Sequence, residues 1–156
     1  MGVELMEQIK GLNERELLSY WIKGEYEEAE TYSLLAERAR ELGLPDEVVE
    51  TFRKLAEDSR RHGDELYEIY RAKYGEELAD VKVASIEGTH ILGKFYKVED
   101  LEDVIRSAME AEKLAETIYR KLAEESEFRD TYLKLAAIER GHYESLKRLL
   151  ELRRRS

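Results

Sequence analysis

Glu139 and His142 stand three residues apart in the stretch Leu135-Ala136-Ala137-Ile138-Glu139-Arg140-Gly141-His142-Tyr143-Glu144-Ser145-Leu146. On a helix that spacing brings both side chains to one face, where a carboxylate oxygen and a neutral imidazole nitrogen can close on one metal ion. Such a pair suits iron, manganese or zinc better than calcium or magnesium, which prefer oxygen ligands. One Glu-x-x-His says little in a chain with 40% charged residues. Its weight comes from what accompanies it.

Eighty residues upstream, Leu55-Ala56-Glu57-Asp58-Ser59-Arg60-Arg61-His62-Gly63-Asp64-Glu65-Leu66 matches that stretch at both leucines, the alanine and the histidine. Ser59 stands where the glutamate should be. A second echo, displaced by 87 residues, links Glu25–Glu37 to Glu112–Glu124, and in each copy a glutamate sits two turns before a tyrosine: Glu25 and Tyr32, Glu112 and Tyr119. The chain therefore reads as two copies of one helical hairpin.

Four long helices must position these residues. The first is expected over about 13–42, with Asn13 as its N-cap and Leu18, Ile22, Glu25, Ala29, Tyr32 and Ala36 along one face. Gly43 stops it, and Pro45 with Asp46 and Glu47 starts the second, about 45–74, whose inward stripe is Val48, Phe52, Leu55, Ser59, His62, Leu66 and Ile69. The third, about 99–124, carries Leu101, Ile105, Ala108, Glu112, Ala115, Tyr119 and Leu122 on one face. Ser126 reads as a cap before the fourth, about 127–154, with Phe128, Leu135, Ile138, Glu139, His142, Leu146 and Leu149 inward.

Residues 75–98 are less periodic. A connection of about 23 residues reaches up to about 75 Å, while a 30-residue helix is only about 45 Å long, so it can cross the whole bundle and set the second and third helices parallel. Part of it, around 78–88, is a candidate helix. Residues 1–12 hold Val3, Leu5, Met6 and Ile9 and read as a short helical stretch or a docking arm, with apolar residues that could serve assembly.

The 156 residues read as one domain, 1–156, large enough to bury a core without staples. There is no cysteine, which excludes thiol catalysis, Fe–S clusters and a Cys-ligated iron centre within this chain. A net charge of -10 opposes nucleic acid and anionic membrane surfaces, which reward a basic face. The basic residues Arg148, Arg153, Arg154 and Arg155 fit charge complementing a helix C-terminus. No signal peptide or long apolar run is visible, so the expected location is cytoplasmic.

Taken together these residues resemble the ferritin-like superfamily, specifically rubrerythrin-type di-iron carboxylate proteins, over about residues 15–150. The resemblance implies an all-α, ferritin-like four-helix bundle of two helical hairpins joined by a long crossover. It also implies a metal set in which Glu25 matches the ligand of the first helix, His62 the histidine of the second, Glu112 the ligand of the third, and Glu139 with His142 the pair of the fourth. Ser59 departs from the pattern by occupying the place of a bridging glutamate. Neither Glu57 nor Asp58 is expected to replace it, since each points about 100° or more away around the helix axis. Glu28, one turn beyond Glu25, is an accessory candidate. The implied cofactor is iron, in a di-iron or partially occupied site, with manganese or zinc as alternatives.

The competing reading of Glu112, Glu139 and His142 is a surface carboxylate pair beside a hydrogen-bonded core histidine. Tyr32 and Tyr119 are expected near the site, either as accessory groups relaying a proton or electron or as core aromatics whose hydroxyls need partners. His90 reads as an ordinary loop histidine. The functional expectation is an oxidoreductase reducing peroxide or dioxygen with electrons from an external donor. The alternatives are non-enzymatic iron binding for storage or delivery and a metal-free structural bundle. A homodimer is the base-rate expectation for assembly.

Overall fold

The computed structural model describes residues 2–83 and 89–155. Among these, the α-helices are α1 (Gly2–Lys10), α2 (Glu14–Glu41), α3 (Asp46–Tyr74), α4 (Leu101–Glu125) and α5 (Arg129–Arg155), and two 3-10 turns, Thr89–Lys94 and Val98–Asp100, precede α4. No strand occurs among the described residues. The fold is all-α, with hairpins α2–α3 and α4–α5 joined by a long crossover.

The helix ends follow from local chemistry. Asn13 accepts at Oδ1 from the Glu16 N–H at 2.9 Å, and Glu16 Oε1 accepts from the Asn13 N–H at 3.1 Å. This reciprocal cap satisfies two otherwise orphaned donors and contributes about 1 kcal/mol. α2 ends where Gly43 takes φ 73, a left-handed conformation costly for a residue with a Cβ. Leu44 then donates back to the Ala39 carbonyl at 3.0 Å, and Pro45 opens α3. Before α5, Ser126 Oγ accepts from the Phe128 N–H at 3.0 Å.

Packing fixes the direction of each helix. Ala39 near the end of α2, Val48 near the start of α3, Leu101 at the start of α4 and Leu149 near the end of α5 share one apolar cluster. Leu17 and Trp21 near the start of α2, Leu122 near the end of α4 and Tyr132 near the start of α5 share another. α3 and α4 therefore begin at the same end of the bundle, and the crossover traverses its length. In sequence, the buried polar residues Glu28, Ser59, Glu112, Glu139 and His142 fall between the segments that build these two clusters. A polar layer is thus walled above and below by hydrocarbon.

Several expectations need correction. Ile69 is 57% exposed, and Gly63 and Tyr70 take inward positions instead. The buried stripe of α3 steps by four from Ser59 to Gly63, which turns Ile69 toward solvent. Residues 78–83 are not helical; the Ala79 N–H donates to Ser19 Oγ at 2.9 Å and its carbonyl accepts from Lys23 Nζ at 3.1 Å, so its backbone is satisfied by α2 rather than by its own turn. Residues 84–88 of that expected helix lie outside the described ones, as does the side chain of His90. At the N-terminus, α1 buries Ile9 against Leu17, Trp21 and Ile118, with Leu5 and Met6 packed on the same cluster. Those apolar groups serve the chain's own core.

Candidate metal centre

Three helices supply the candidate metal donors of the polar layer. α2 presents Glu25, Glu28 and Tyr32 at i, i+3 and i+7, one continuous face. α4 contributes Glu112, and α5 contributes Glu139 and His142 one turn apart. One ligand atom from each of Glu28, Glu112, Glu139 and His142 lies within 4.8 Å of the other three, and all four residues are buried.

Hydrogen bonds set the orientation of two of these groups. Tyr32 donates its hydroxyl to Glu112 Oε1 at 2.7 Å. The His142 ring is held on both sides: Nδ1 lies 3.1 Å from Glu28 Oε1 and 3.6 Å from Glu112 Oε2, and Nε2 lies 2.7 Å from Asp58 Oδ2. Asp58 comes from α3, which thereby reaches the site through a residue expected to point elsewhere. Asp58 lies four residues before His62, on the flank of α3 that faces α5. An inward face drawn wide enough to touch two neighbouring helices would have included it.

The electrostatics are those of an over-anionic pocket. Burial, then the neighbouring Glu28, pushes Glu25 up to about 9. Burial, then Glu112 and Glu28, holds Glu139 well above the ordinary carboxylate range. For His142, burial opposes charging, but the hydrogen bonds to Asp58 and Glu28 outweigh it and raise the imidazole to about 11. Asp58 is lowered chiefly by its hydrogen bond from His142. With only one imidazolium inside, carboxylates are forced to keep protons, and a multivalent cation would relieve them.

That demand is visible atom by atom. Both Glu139 oxygens, Glu25 Oε2 and Glu28 Oε2 are buried without a hydrogen-bond partner among the described residues. Orphaned buried oxygens are costly, and Glu28 and Glu139, which carry three of them, belong to the four-donor group. Three carboxylates and one imidazole fit a divalent first-row transition metal.

The α3 side of the layer is different. Ser59 is fully buried, and its hydroxyl has no hydrogen-bond partner among the described residues. His62 stands outside the four-donor group, with Nε2 3.5 Å from Asp58 Oδ2 and Nδ1 3.6 Å from Glu65 Oε2. Tyr119 packs one layer away, its ring 4.8 Å from Trp21 and 6.4 Å from Tyr132. Between α3 and α5 a groove of about 650 Å³ opens to solvent and reaches His142 and Asp58 past Leu55, Gly141 and Leu149.

Compared with known families, residues 16–150 match the rubrerythrin model. The chain belongs to the rubrerythrin family. Among solved structures, a hypothetical protein from Pyrococcus furiosus is similar at 30% identity, with a TM-score of 0.68 and 94% of each chain covered. No curated protein matches the chain. Measured against the rubrerythrin di-iron pattern set out above, the structure gathers Glu112, Glu139 and His142 around one point and adds Glu28. Glu25 lies close enough to interact with Glu28 and His142, while His62 remains at the rim.

Proposed function

We propose that this rubrerythrin-family chain is an iron-binding oxidoreductase that reduces peroxide or dioxygen with electrons from an external donor. The observation that carries the reading is the gathering of Glu28, Glu112, Glu139 and His142, all buried, with oxygens of Glu28 and Glu139 short of hydrogen-bond partners among the described residues. Glu28, Glu112, Glu139 and His142 would hold the metal, and Glu25 adjoins them. Iron bound there would supply redox chemistry and an open coordination position for the oxidant.

The chain's own groups would prepare that chemistry. Tyr32 fixes the Glu112 carboxylate, and Asp58 fixes the plane and tautomer of the His142 ring. In the metal-free protein Glu25 holds a proton within the layer at neutral pH, because burial and the neighbouring Glu28 push it up to about 9. The two apolar clusters exclude bulk water, which strengthens each of these interactions. The groove between α3 and α5 is wide enough for a small oxidant.

The test is anaerobic loading with Fe(II), desalting, and addition of hydrogen peroxide with a reductant. Repeated turnover supports the oxidoreductase reading. Slow oxidation with retained ferric iron supports storage or delivery instead. A protein that retains no metal, and whose Glu139→Ala variant behaves identically, is a structural bundle.

A further inference from the structure

We propose that the polar layer binds one metal ion per chain rather than two. This inference rests on the metal-binding reading above and concerns how many ions the layer can hold.

Bonds from such a metal to oxygen or nitrogen are about 2.0–2.2 Å, so donors around a single ion are separated by at most about 4.4 Å. One ligand atom from each of Glu28, Glu112, Glu139 and His142 lies within 4.8 Å of the others, close to one coordination sphere before it contracts on an ion. Two ions about 3.5–4 Å apart can share bridging carboxylates, but each still needs terminal donors of its own. The four donors come from α2, α4 and α5. Any second ion would have to draw on α3.

α3 does not offer a second set. At Ser59 the side chain ends one atom beyond Cβ, is neutral, and falls short of the reach of a glutamate. The His62 ring sits between Asp58 and Glu65, 3.5 and 3.6 Å from their carboxylates, outside the four-donor group. Asp58 spends Oδ2 on His142 at 2.7 Å, on the side of the ring opposite Glu28. It acts through the histidine as a positioning residue. Glu25 alone remains, and one carboxylate does not hold a second ion against water. The internal duplication has thus kept a site built mainly by its second half.

The experiment is metal content per chain by plasma mass spectrometry after anaerobic Fe(II) loading and desalting, with electron paramagnetic resonance of the air-oxidised sample. One ion per chain and the spectrum of isolated high-spin ferric ions are expected. Two ions per chain with a spin-coupled, silent ferric pair would overturn the inference while leaving the metal reading intact. No retained metal would overturn the metal reading and this inference with it. Ser59→Ala and His62→Ala change the α3 side without burying a new charge, and both should still retain one ion. Loss of that ion in either variant would make α3 a ligand source and sink the proposal. Ser59→Glu, where it folds, should raise the content above one.

Discussion

Asp58 on α3 accepts a hydrogen bond from His142 on α5 at 2.7 Å. The contact ties the two hairpins together at the height of the site and decides which imidazole nitrogen faces the carboxylates. With Nε2 committed to Asp58, Nδ1 is left toward Glu28 and Glu112. Histidines oriented in this way bind metal more tightly, because the ring is pre-aimed and its basicity raised.

Asp58→Ala should therefore weaken metal binding about 10–100-fold while leaving all four donors of the cluster in place. Competitive titration of Co(II) or Zn(II) against a chelator measures this. An unchanged affinity would reduce the hydrogen bond to a packing detail.

The metal-free protein should lose stability as pH rises. Glu25 titrates at about 9 when folded and at an ordinary 4.5 when unfolded, so the stability it contributes is present below 4.5 and is lost as pH climbs through 9. His142 has the same sign: its contribution is present below 6.5 and disappears as pH rises through about 11. Glu28 and Asp58, both lowered, act oppositely, but at the acid end of the scale. Melting temperature of the metal-free chain should fall between about pH 5 and about pH 9. Metal loading should flatten that slope, and calorimetry in two buffers should show protons released on binding.

Tyr32→Phe removes the O–H that Glu112 Oε1 accepts at 2.7 Å inside the core. Leaving a buried carboxylate short of that donor should cost about 1–3 kcal/mol in the metal-free protein. Urea denaturation with and without metal checks it; the loss should shrink when an ion takes up the same oxygen.

Two glycines in helices should respond oppositely to alanine. At Gly24 a new Cβ would meet nothing within 4 Å, so Gly24→Ala should stabilise by about 0.5–1 kcal/mol through reduced freedom of the unfolded chain. At Gly63 it would lie 2.8 Å from Cε1 of Tyr26, whose ring is pinned by a 2.6 Å hydrogen bond to Asp64. Gly63→Ala should cost about 1–3 kcal/mol by overpacking. Denaturation midpoints of the two variants decide the matter.

The bundle was legible in the sequence because its signals were local and repeated. Asn13, Gly43 with Pro45, and Ser126 each mark a helix end by a hydrogen-bonding or dihedral requirement that no tertiary contact has to supply. Glu112, Glu139 and His142 were legible because a charged group on an apolar stripe is anomalous wherever the stripe is well defined. Asp58 was not. It sits on the flank of its helix, and its role depends on how α5 passes α3, a crossing that periodicity within one helix does not encode. The exposure of Ile69 has a related origin, since the step of four from Ser59 to Gly63 and then to Tyr70 is indistinguishable in sequence from the step of three to His62.

Trp21 is the chain's single tryptophan, and α2 presses it edge-on against Tyr119 of α4 and Tyr132 of α5, with ring centroids 4.8 and 5.8 Å away. The seam between the two hairpins therefore carries its own optical reporter. While the hairpins stay docked, the indole emits from a dry environment and collects excitation energy from tyrosines of the opposite hairpin. If they part, emission shifts to the red and the transfer from those tyrosines collapses. Because only α2 carries the indole, its fluorescence reads how closely the second hairpin stays docked on the first.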